Sequence, residues 1–310
     1  MKCRIRYIVC LIGFIFFIQG KGICQGKNNF LTLKEDSLKY YGNQIVNGEF
    51  PEQRFRADSQ FTRILVRALQ HQHSFHYPFD SLTTISRLYS PDSSFRIFTW
   101  QVSKDENTHR RHGAIQMNTK DGSLKLFPLI DRSILIQKQQ DTITNNTWWI
   151  GAIYYKILKH VVNQYKIYTL LGYDENNRTS TRKLIEILTF DREGQPIFGL
   201  PLFDFSNDSI KKSLQTRFFI EYKKGVNASI KYDDDLGMIM YDHLISESNE
   251  EKRFDTYVPD GDYEAFKWTN GKWLHVDKPF DFKLEDGQAP IIKPVTDSKI
   301  PVKKSVKKGN

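Results

Sequence analysis

The chain has 310 residues, a formal net charge of +9, 14% aromatic residues and three cysteines. Its length is ample for a large apolar core, and Cys3, Cys10 and Cys24 all fall within the first 24 residues, which excludes disulfide scaffolds, thiolate zinc sites and cysteine nucleophiles from the remainder. The positive charge belongs to the ends: the first 24 residues carry four of the net charges and the stretch from Lys293 onward five, so residues 25–292 are neutral and have no general drive toward nucleic-acid phosphates.

Residues 1–24 have the pattern of a secretory signal peptide. Lys2, Arg4 and Arg6 precede an apolar run from Tyr7 to Ile18, which is shorter than the roughly 20 residues of a spanning helix. Gly22 and Cys24 place small side chains where a signal peptidase reads them. Cleavage after Cys24 starts the mature chain at Gln25, and cleavage after Gly22 is the alternative. Ile23 and Lys21 are the wrong neighbours for a lipid-modified Cys24. The expectation is an exported monomer, periplasmic or secreted, without disulfides and without a membrane span once the leader is cut.

An N-terminal helical segment is expected over residues 25–83. Residues 30–47 read as one short helix and a turn. From Asp58 to Gln72, Phe61, Ile64, Leu65, Ala68 and Leu69 recur at helical spacing, with Asp58 or Ser59 as the cap. An antiparallel β domain is expected over residues 84–292, where short runs rich in Ile, Tyr, Phe and Trp alternate with turns. Ile85–Tyr89 and Phe95–Val102 flank Ser90-Pro91-Asp92-Ser93. Gly113–Asn118 and Leu124–Ile130 flank Asp121-Gly122. Trp148–Leu158 pairs with Tyr165–Tyr173, and Lys183–Phe190 and Pro196–Leu200 flank Glu193-Gly194. Phe218–Tyr222 and Val226–Tyr232 flank Lys224-Gly225, Met238–Ile245 follows, and Tyr263–Trp268 and Lys272–Val276 flank Asn270-Gly271, a strong two-residue hairpin signal.

These runs predict a mainly β fold: an antiparallel meander of roughly a dozen strands, sandwich or barrel-like, with short N-terminal helices. An irregular β-propeller is the alternative. Ile185 and Ile187 oppose Leu184, Leu188 and Phe190, and Ile239, Tyr241 and Ile245 oppose Met238, Met240 and Leu244; strands apolar on both faces sit between two layers. Residues 293–310, rich in Lys and Pro, predict a disordered tail.

The sequences 230–246 (IKYDDDLGMIMYDHLIS), 258–277 (VPDGDYEAFKWTNGKWLHVD) and 89–102 (YSPDSSFRIFTWQV) together resemble exported β-rich proteins of unknown function from Bacteroidetes-type bacteria. The resemblance spans roughly residues 85–280. It implies export and a Gram-negative envelope location and carries no catalytic residues across.

Candidate sites follow from residue type and spacing. His71, His73 and His76 are spaced as in a metallo-β-lactamase motif, but Phe75 stands where that motif needs Asp; the competing reading is a polar helix end. Asp233, Asp234 and Asp235 offer oxygen ligands for Ca²⁺ without the spacing of a calcium loop, against a solvated turn. Asp242 and His243 are acid–base types whose side chains diverge along a strand. Glu186, Glu221 and Glu264 lie on expected strands, with nothing to select two of them as a hydrolytic pair. Trp148, Trp149, Trp268 and Trp273 are candidate ring platforms for a ligand, or core residues. Walker, GxGxxG, HExxH and RNA-binding signatures are absent. No cofactor is implied. The function expected is a non-catalytic binding or structural component of the envelope, its partner an unknown envelope component or glycan, with a glycan- or peptide-directed envelope hydrolase as the alternative.

Overall fold

The computed structural model describes residues 25–280 apart from 106, 210 and 211. The expected leader, with the three cysteines, and the expected Lys- and Pro-rich tail lie outside the described residues. No helix among the described residues is long and apolar enough to cross a membrane.

Two helices come first. Helix α1 (Gln25–Asn47) is 23 residues long, so the short helix and turn expected over 30–47 are one continuous helix. The turn-like residue, Gly42, lies inside it because Thr84 Oγ1 comes so close that a Cβ there would sit 2.6 Å away. Helix α2 (Pro51–Leu69) starts at Pro51, whose missing N–H is no loss in a first turn. Asp58 and Ser59 are therefore not caps. Asp58 is buried in mid-helix and accepts a 2.8 Å hydrogen bond from Trp100 Nε1, while Ser59 Oγ bonds back to Phe55 O at 3.0 Å.

The strands form three sheets. The first is the meander β1 (Ser86–Tyr89), β2 (Phe95–Ser103), β3 (His109–Met117) and β4 (Leu126–Ile130). The second runs β5-β9-β8-β7-β6, built from β5 (Thr144–Asn145), β6 (Ile153–Val162), β7 (Tyr165–Asp174), β8 (Ser180–Phe190) and β9 (Pro196–Phe198). The third runs β10-β15-β14-β13-β12, from β10 (Phe203–Asp204), β12 (Ile230–Asp233), β13 (Met238–Ser246), β14 (Tyr257–Thr269) and β15 (Lys272–Val276). Between β10 and β12 in the chain, β11 (Arg217–Lys223) crosses back and pairs with β8 of the second sheet.

Three cores hold these layers together. The helices bury Leu38, Phe61 and Leu65 against Phe98 and Trp100 of β2. The other face of β2, with Phe95 and Ile97, packs on Leu170, Leu184 and Leu188 of the second sheet. Ile185 and Ile187, on the opposite face of β8, pack with Ile239, Phe266 and Trp273 of the third. The fold is a sandwich of stacked sheets flanked by helices, and the two-faced apolar pattern of β8 is its signature.

Local chemistry explains several turns. Asn270 and Gly271 both have positive φ (51° and 80°), the geometry of a tight hairpin, and they join β14 to β15. Asp92 fixes the β1–β2 turn by accepting from Ser94 Oγ at 2.7 Å, and Lys166 Nζ lies 2.9 Å from it. The order departs from a simple meander. Lys224-Gly225 does not close a hairpin: β11 pairs with β8 and β12 with β13, so this turn carries the chain from the second sheet to the third. β10 runs parallel to β15, which a hairpin cannot do.

Candidate functional site

A β-bulge creates the site. The pairing of β13 with β14 slips between Asp242 and Leu244: His243 alone on β13 stands opposite Asp260, Gly261 and Asp262, so the extra residues belong to β14. Beyond the slip, Leu244 packs on the same core as Ile239 and Tyr241. Beside the bulge, β11 and the 3₁₀ turn Phe254–Thr256 enclose a groove of about 320 Å³. Its apolar wall is Phe218, Phe219, Ile220, Leu244, Phe254 and Tyr257, and its polar groups are Glu221, Tyr241, Asp242, His243, Glu264 and Lys212. An apolar wall with a few converging polar groups is the general form of a ligand site.

Tyr241, His243 and Glu264 belong to one chain of contacts that continues beyond the groove. Glu264 Oε2 accepts from Tyr241 OH at 2.5 Å and lies 3.1 Å from His275 Nε2. His275 Nδ1 is 2.7 Å from Asp208 Oδ1. On the other side, His243 Nε2 lies 3.8 Å from Glu264 Oε1, and His243 Nδ1 is 2.8 Å from Asp260 Oδ2. Carboxylates and imidazoles therefore alternate from Asp208 through His275, Glu264 and His243 to Asp260. Burial opposes charge on His275, but hydrogen bonds to Glu264 and Asp208 outweigh it and raise its pKa. Burial likewise pushes Glu264 up, and the bonds from His275 and Tyr241 bring it below the usual carboxylate value. Burial and the Glu264 carboxylate hold the Tyr241 phenol well above its usual value.

The downward direction is general. Among the described residues, every carboxylate whose pKa is displaced is displaced downward, Asp174, Glu175, Asp260 and Glu264 included. In the groove, the lowered value of Glu264 favours the ionised carboxylate, which accepts hydrogen bonds, over a carboxylic acid ready to give up a proton.

A larger cleft of about 760 Å³ lies where the helices meet the β2–β3 connection. Two of its cationic groups are already engaged. Arg54 donates to Gly48 O, Glu49 O and Ser103 O, and Lys224 is paired with Glu175.

The residues singled out in the sequence are dispersed. His71 stacks on Phe30 with centroids 5.3 Å apart, His73 sits in a left-handed conformation against Gly122, and His76 meets Phe75 edge-on. Asp233 is spent on its own turn, accepting from the N–H groups of Asp235 and Leu236 at 3.0 Å. No group of His, Cys, Asp and Glu among the described residues is placed to hold a metal ion. Trp149 and Trp273 are fully buried and hydrogen-bonded to Tyr154 OH and Thr169 Oγ1, so they are core residues and offer no ligand platform. Trp268 lies over His160 at 4.0 Å. Trp148 is 50% exposed; it is not in a strand but in the 3₁₀ turn Asn146–Trp148, which the Asn145 side chain caps. Asp242 and His243 diverge as neighbours in a strand must: Asp242 accepts from Ser229 N at 2.8 Å, and His243 turns to Asp260. Glu186 is buried on Arg217, Glu221 accepts from Asn176 and Ser180, and only Glu264 enters the alternating chain. Asp208, Asp260 and His275 carry no motif.

No family model, curated protein or solved structure matches this chain. The functional reading therefore rests on its own residues.

Proposed function

We propose that this protein is a non-catalytic binding component of a bacterial envelope, exported to the periplasm or beyond, and that the groove between β11 and the β13–β14 bulge holds its ligand. The observation that carries this reading is the joining of an aromatic wall to the carboxylates of Glu221, Asp242 and Glu264 in one groove. Phe254, 44% exposed, and Tyr257, with ring centroids 5.8 Å apart, suit the apolar face of a sugar ring, and the carboxylates suit its hydroxyls. The leader's charge and apolar pattern and the resemblance to exported β-rich proteins support the location. Hydrolysis of a glycan calls for a carboxyl group with a raised pKa facing a second carboxylate, and the downward displacement of Glu264 favours binding instead.

Titration calorimetry with solubilised envelope glycan fractions tests the reading. Replacing Phe254 and Tyr257 together with Ala is expected to weaken binding by about tenfold or more, since each aromatic contact contributes on the order of 1 kcal/mol. Unchanged binding by the double variant removes the groove from the reading, and release of cleaved product by the wild type replaces it with the hydrolase. N-terminal sequencing of the exported protein is expected to begin at Gln25; an uncut leader overturns the location.

A further inference from the structure

His275 is 7% exposed, and each of its ring nitrogens faces a carboxylate oxygen, Asp208 on one side and Glu264 on the other. Carboxylates accept and do not donate, so both bonds are made only when both nitrogens carry hydrogen. The closed arrangement therefore contains an imidazolium. Once the ring loses a proton, one nitrogen lone pair faces a carboxylate and that side must open.

The fold decides which side opens. Glu264 lies on β14, paired on both edges by β13 and β15, and Tyr241 OH holds the same oxygen. Asp208 lies in the connection after β10, where its N–H bonds to Phe205 O at 3.1 Å. Phe205 packs on His275 with centroids 5.2 Å apart and carries Lys212, a groove residue, 4.9 Å from its ring. We propose that His275 is a pH-sensing clasp on the groove: the doubly protonated ring ties Asp208 to Glu264, and loss of a proton releases the Asp208 arm.

The groups surrounding the clasp come from every packed element. Glu264 and Asp260 belong to β14, Tyr241 and His243 to β13, and Asp208 and Lys212 to the segment after β10; the Asp277 charge, just past β15, also reaches Tyr241. The sign follows from the raised pKa of the folded ring. The clasp contributes its full stability below the free-histidine value of about 6.5 and loses it as pH rises through the higher folded value. Acidification thus tightens the groove's border and alkali loosens it. This inference gives the regulation of the groove assigned above as the binding site, but its readout needs no ligand, so its failure is separate from failure of the binding reading.

Hydrogen exchange of the amides of residues 205–209 in the full chain tests it, with imidazole NMR titration alongside. Once the intrinsic pH dependence of exchange is divided out, the opening constant of the wild type is expected to rise by about tenfold for each unit by which the folded pKa exceeds the free value. In His275→Gln, which does not titrate, the same amides are expected to show a flat profile. A His275→Gln profile as steep as the wild type, or a wild-type ring titrating at or below about 6.5, overturns the clasp. Asp208→Asn supplies a second measure that tolerates a poorly folding His275 variant. Its His275 midpoint is expected to fall toward the free value, and an unchanged midpoint also overturns the clasp.

Discussion

Arg217→Met is expected to lower the stability of the protein by about 3–5 kcal/mol, the usual loss when one partner of a buried ion pair is removed. Arg217 and Glu186 are both fully buried. Arg217 Nε bonds to Glu186, and the rest of the guanidinium serves main-chain carbonyls far away in sequence: Gln139 O at 3.0 Å, Thr142 O, and Phe198 O at 3.1 Å, with Thr144 Oγ1 at 2.6 Å. Tyr154 OH donates to the other oxygen of Glu186 and in turn accepts from Trp149 Nε1 at 2.8 Å. Gly199, at φ +79°, lies so close that a Cβ would sit 2.9 Å from the guanidinium. Methionine fills much of the space but leaves a buried carboxylate without its cation and several carbonyls without donors.

The effect reaches the groove because Arg217 is the first residue of β11 and Phe218 follows it directly. Denaturant unfolding measures the loss; a midpoint change equivalent to less than about 1 kcal/mol contradicts this account of the pair. The double variant Glu186→Leu with Arg217→Met is expected to recover part of the loss, since it removes the stranded charge but not the unpaired carbonyls.

What the sequence reveals of this molecule is set by the range of the interaction. β8 is legible because its two faces obey the period of two and each meets a different core. The β14–β15 hairpin is legible because Asn-Gly specifies its own backbone. β11 is legible as a strand but its pairing is not, because its partner is chosen by packing against β8, 31 to 43 residues earlier, while Lys224-Gly225 carries only local turn chemistry. Helix α1 is longer than its pattern suggests because Gly42 is kept for the approach of Thr84, a tertiary reason. The site follows the same division. Alternation alone correctly separates Asp242 from His243, but the bulge that points His243 toward Asp260 and Glu264 is a property of the β13–β14 pairing. His275 needs Asp208, 67 positions away, to acquire its meaning.

Arg96→Ala is expected to cost about 4 kcal/mol, combining a buried cavity with acceptors left unpaired. Arg96 is fully buried, yet no carboxylate pairs with it among the described residues. Its charge is met by geometry instead. The guanidinium donates to Gln116 Oε1 at 2.8 Å, Tyr77 O at 2.7 Å, Tyr89 OH at 2.8 Å and Ser74 O at 2.8 Å. The rings of Phe98, Phe79, Tyr89 and Phe75 surround it at 4.9 to 5.6 Å from their centroids. Burial lowers its pKa to about 10, so it stays charged at neutral pH. The arrangement fastens the segment 74–77, which holds His76 and adjoins His73, onto β2 and gives that histidine-rich stretch a structural part in the fold. Arg96→Lys separates charge from shape. A lysine keeps the cation among the rings but reaches fewer acceptors than the planar fork. It is expected to restore less than half of the stability lost in Arg96→Ala, with increased amide exchange at residues 74–77. Full restoration by Lys would show that the charge alone, and not the fork, holds this segment to the sheet.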